Sequence, residues 1–100
     1  MRKRFKLLPK AQIDLTSIIE YIATRSPDNA IKVFDQLHDA MQTLAGMPGM
    51  GHTREDLTDR PVRFWAVHSY LIVYRPDRVP LEVLRIVHGA RDLKAILEEQ

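Results

Sequence analysis

Cysteine is absent from this chain, so neither a disulfide framework nor a thiolate metal site can form. Aromatic residues are scarce at 7%, and the single tryptophan, Trp65, stands alone on a strand-like run. Readers of single-stranded nucleic acid stack bases on several aromatics of one face, so Trp65 reads as packing. No apolar run approaches the ~18 residues that span a bilayer, and no membrane association is expected. The basic start is followed only by Leu7-Leu8 before Pro9, too short for the apolar core of a signal peptide. A chain that is not exported, and hence cytoplasmic, is the expectation. His38, His52, His68 and His88 fall in different elements, with no i, i+4 histidine pair and no H-E-x-x-H, so no metal is expected. There is no P-loop and no G-x-S-x-G, and Glu82 has no carboxylate partner on its strand. No cofactor is expected.

What is present describes one ordinary domain over residues 1–100, 45% apolar and 28% charged. The net charge is only +2, but it is unevenly placed. Arg2, Lys3, Arg4, Lys6 and Lys10 have no acid among them. Residues 11–53 lean acidic, and arginine returns at 54, 60, 63, 75, 78, 85 and 91. Such asymmetry attracts nucleic acid or an acidic protein, although a solvated surface carries the same pattern.

Arg4 to Leu8 suits a short strand that Pro9 ends. Ala11, Leu15, Ile18, Ile19 and Ile22 then recur at helical spacing. Ser26 can cap a second helix, with Pro27 at its first position and Asp28 at the positive dipole end. Ala30, Val33, Phe34, Leu37, Met41 and Leu44 form its apolar stripe, and Gly46 can stop it. Residues 9–46 therefore read as an αα-hairpin. Three strands follow, Val62–Val67, Tyr70–Tyr74 and Leu81–Val87, linked by His68-Ser69 and by Asp77–Pro80. Short links imply antiparallel pairing. The expected fold is α+β: an N-terminal strand, an αα-hairpin packed on an antiparallel β-sheet, and a short C-terminal helix that Asp92 can cap.

Arg63, Arg85, His88 and Arg91 are the candidate chemistry, with Tyr70 and Tyr74 nearby. Strict alternation places Arg85 with Leu81, Val83 and Val87, and His88 with Leu84 and Ile86. An arginine among apolar neighbours is either ion-paired or lines a groove, and a paired network is favoured. A half-buried structural role is favoured for His88.

The ordered residues Ala11, Asp14-Leu15, Ile18 and Tyr21; Pro48, Gly51 and Arg54; Tyr70, Ile72 and Tyr74; and Arg85, His88-Gly89, Arg91-Asp92 resemble the RelE/ParE superfamily of bacterial type II toxin–antitoxin toxins. The likeness runs from Arg4 to Leu97. It implies the fold just described and a cognate antitoxin, ParD-like or related, whose C-terminal segment wraps the toxin. An acidic antitoxin would also neutralise the arginine surface. The superfamily holds two activities. RelE-like members cleave mRNA in the ribosome, and ParE-like members inhibit DNA gyrase. The RelE-like pattern has an arginine after the central-strand tyrosine, where this chain has Leu71 after Tyr70. It has a tyrosine in the last helix, near Leu97 here, and no tyrosine follows Tyr74. The resemblance thus implies a ParE-like gyrase inhibitor without catalytic residues of its own, with Arg63, Arg85 and Arg91 as target-binding groups. The alternative is a ribosome-dependent mRNA endonuclease using Arg63, Arg85, His88 and Arg91. A third reading is a module that only buffers its antitoxin.

Overall fold

The structure, a computed structural model, describes residues 4–89 and 92–98. Its elements are β1 (Phe5–Leu7), α1 (Pro9–Ala23), α2 (Pro27–Gly46), a 3₁₀ turn (Pro48–Met50), β2 (Arg63–Val67), β3 (Tyr70–Arg75), β4 (Leu81–His88) and α3 (Leu93–Glu98). Among the described residues no helix is long and apolar enough to cross a membrane.

Local chemistry sets the helix ends. Pro9 opens α1, where its missing N–H costs nothing. Ser26 Oγ accepts from the Asn29 N–H at 3.1 Å, Pro27 takes the first position of α2, and Asp28 lies in its first turn. The Asp92 carboxylate accepts from the Ala95 N–H at 3.2 Å at the start of α3. Each of these is as the sequence indicates.

The four strands are ordered β1-β4-β3-β2. β2, β3 and β4 pair antiparallel, as their short links require. β1 does not follow that rule. It lies parallel to β4, with Phe5 opposite Leu81 and Leu7 opposite Val83, so the sheet is mixed. The helical hairpin and two strands separate β1 from its partner in sequence, and no tight turn fixes its direction.

Two cores result, one on each face. Ala11, Leu37, Met41 and Leu44 of the helices pack on Ile72, Tyr74, Leu81, Val83 and Ile86. On the other face Val62, Phe64, Val73 and Leu84 meet Leu97 of α3, with Leu8 and Leu57 at the margin. Strict alternation along β4 fails at one point. Val73 pairs with Arg85 and Tyr74 with Val83, leaving Leu84 as a bulge. The extra residue resets the parity, so Ile86 joins Leu81 and Val83 on the helix side rather than siding with Leu84. Phe34 also departs from its expected place. It sits at the margin of the α2 stripe, 42% exposed, stacked on His38, whose ring meets the Phe5 edge.

Candidate functional site

Arg85 is only 8% exposed. Its Nε donates to Asp14 Oδ2 at 2.7 Å and its Nη2 to Asp14 Oδ1 at 3.0 Å. The same Asp14 Oδ2 accepts the Ile86 N–H at 3.0 Å. A planar guanidinium meets a carboxylate in this two-point geometry, which adds direction as well as energy. The expected paired network is therefore real, and it joins α1 to β4. Nε and Nη2 of Arg85 are thus engaged within the fold.

Arg63 begins β2 and is half-buried. Its Nη1 donates to Gly51 O at 2.7 Å and, weakly, to Gly49 O at 3.5 Å. It thereby holds the turn that follows α2. The same turn is fixed from beneath by Tyr74, whose side chain is fully buried. Tyr74 Oη donates to Pro48 O at 2.6 Å and accepts from Gly51 N–H at 2.9 Å. Burial pushes the Tyr74 hydroxyl above its ordinary pKa, against the smaller opposing effects of the Gly51 N–H and the Arg63 charge. Gly51 has no room for a side chain: a β-carbon there would collide with Tyr74 Oη and lie 3.0 Å from Phe64 O. Pro48, Gly51, Arg63 and Tyr74 thus form one lock.

Arg54 lies just beyond this lock. It donates to both carboxylate oxygens of Asp56, at 3.0 and 2.8 Å, and these bonds hold the Asp56 pKa below its usual range. Arg60 Nη1 donates to Leu97 O at 3.1 Å and ties α3 to the segment before β2. His88 ends β4. It is exposed rather than half-buried, and its ring stands perpendicular to Tyr70 with centroids 5.7 Å apart. Arg91, the fourth candidate, lies outside the described residues.

The sheet register separates the candidates. Arg63 is opposite Tyr74 on β3, whereas His88 is opposite Tyr70. Those positions are four residues apart along β3, about 13 Å at the usual rise. Arg63 and His88 therefore stand at opposite ends of the sheet.

Two residues of this network had no assigned role in the sequence reading. Asp14 falls on the apolar stripe of α1 between Ala11 and Leu15, a position where an acid demands a cationic partner. The Tyr74 hydroxyl lies in a nearly continuous apolar strand, where it likewise needs a partner. Both were legible as problems, though not their solutions.

Residues 5–93 match the family described as ParE toxin of type II toxin-antitoxin system, parDE. The chain belongs to the ParE toxin family. It is thus the toxin component of a type II toxin–antitoxin system, which implies an antitoxin partner. Among solved structures it is similar to a chain of the "Chromosomal ParDE TA system from P. aeruginosa", with a TM-score of 0.68 and 22% identity over 87% of this chain and 96% of that one. That likeness supports the ParE fold. A comparison with curated protein sequences found no match. The residues that carried the family resemblance are now seen to meet: Asp14 with Arg85, and Pro48 and Gly51 with Tyr74.

Proposed function

We propose that this ParE-family toxin inhibits DNA gyrase by binding to it, without hydrolytic chemistry of its own, and that a ParD-like antitoxin neutralises it in the cytoplasm. The observation that carries this reading is the separation of Arg63 and His88. An endonuclease needs a general base at the attacking hydroxyl and a cation on the same phosphate. Here the candidate base and a candidate cation lie at opposite ends of the sheet, and the buried Arg85 guanidinium is engaged by Asp14.

A binding inhibitor needs no such convergence. It needs a charged surface that its target can read. Arg63, through its solvent-facing share, and Arg91 are the proposed target contacts, and Arg85 supports them by holding α1 on the sheet. The hairpin also exposes Ile13 at 65%, Tyr21 at 61% and Ile31 at 61%, apolar area that an antitoxin segment folding on binding would cover. The reading is tested by incubating antitoxin-free protein with translating ribosomes and mapping mRNA ends. Intact mRNA is expected, and codon-specific cleavage would transfer the function to the endonuclease class.

A further inference from the structure

Away from the arginines, a cleft of about 360 Å³ opens where the hairpin meets the β2–β3 turn. Ile22, Val33 and Tyr70 give it an apolar lining. Asn29, Lys32 and Gln36 line it from α2, and His68 lines it from the β2–β3 turn. The volume falls within the range of small-molecule sites, which combine an apolar lining with a few polar groups.

Three features favour an anionic ligand. No carboxylate lines the cleft, whereas Lys32 does, and no salt bridge of Lys32 occurs among the described residues. His68 Nε2 lies 2.5 Å from Gln36 Oε1. The amide oxygen accepts there, so the imidazole donates, and the Gln36 NH₂ has no hydrogen bond among the described residues; Asn29 lines the cleft two turns earlier on α2. His68 is also the one non-glycine with positive φ among the described residues, at 55°. A two-residue hairpin turn takes asparagine or glycine in that conformation at lower cost. Histidine stands there instead and lines the cleft, and such local strain gathers at ligand clamps.

The geometry points to this cleft as a binding site for a small organic carboxylate with a flat apolar body. The body rests on Ile22 and Val33 against the Tyr70 ring, and the carboxylate meets Lys32 and the Gln36 amide, with Asn29 at the margin. The site is independent of how the toxin acts on its target.

Indole-3-acetate, its neutral alcohol analogue tryptophol, and acetate are the probes, each titrated into the isotopically labelled full chain and followed by NMR. Indole-3-acetate is expected to give saturable shifts at the Gln36 and Asn29 side-chain amides and at Tyr70, with at least fivefold tighter binding than either other probe. Lys32→Ala, at an exposed helix position, is expected to weaken it at least fivefold while the thermal midpoint stays unchanged. The proposal is overturned by the absence of saturable shifts up to about 10 mM, by equal affinity for acetate or tryptophol, or by unchanged affinity in folded Lys32→Ala protein.

Discussion

Asp14 and Arg85, 71 residues apart in the chain, form a two-point ion pair at 2.7 and 3.0 Å, with each side chain only 10% exposed. The pair fixes α1 to the centre of the sheet. Removing one partner leaves a buried charge uncompensated, at a cost of about 3–5 kcal/mol. Asp14→Ala is expected to lose stability on that scale in urea unfolding. Asp14→Ala with Arg85→Leu should recover part of it, because the second change removes the orphaned charge. A double variant no more stable than the single one would contradict this account of the pair.

Gly51 is expected to reject even a methyl group. In Gly51→Ala the new β-carbon would lie 2.9 Å from Tyr74 Cε1 and 3.0 Å from Phe64 O, and closer still to the hydroxyl. Overpacking of this kind costs about 1–3 kcal/mol. Adding Tyr74→Phe removes the nearest atom but not the ring carbon, so rescue should be partial. A double-mutant cycle by thermal denaturation reads the coupling directly.

Tyr74→Phe alone strands Pro48 O and the Gly51 N–H, a loss of about 1–3 kcal/mol at neutral pH. The pH dependence has a defined sign. The folded state raises the Tyr74 pKa above its ordinary value of 10.0, so the folded protein holds this proton more tightly than the unfolded chain does. The stability it contributes is therefore complete below pH 10.0 and declines as pH rises above that value. The gap between wild type and Tyr74→Phe should narrow there. A gap that widens with alkalinity would reverse the assignment.

His88→Ala should fold, because the ring is exposed and its contact with Tyr70 contributes about 1 kcal/mol or less. Growth arrest on expression should be retained. Abolished toxicity in a folded His88→Ala protein would favour the endonuclease.

Local signals made the elements legible. Pro9, Ser26-Pro27, Gly46 and the His68-Ser69 turn each act within a few residues, and the helix and strand limits follow them closely. What escaped the sequence depends on distant partners. Nothing local says that Asp14 meets Arg85, or that β1 joins β4 in parallel. The bulge at Leu84 left no composition signal, and once present it changed the face of Ile86 beyond it. The hold of Arg63 on the turn after α2 was not legible, because its acceptors are backbone carbonyls, which carry no sequence signature.

The central claim is tested most directly by gyrase supercoiling of relaxed plasmid in the presence of purified, antitoxin-free toxin, scored also for trapped double-strand breaks. Lost supercoiling or accumulated linear DNA, reversed by the antitoxin, is the predicted result. Undisturbed gyrase in the presence of folded toxin would contradict it.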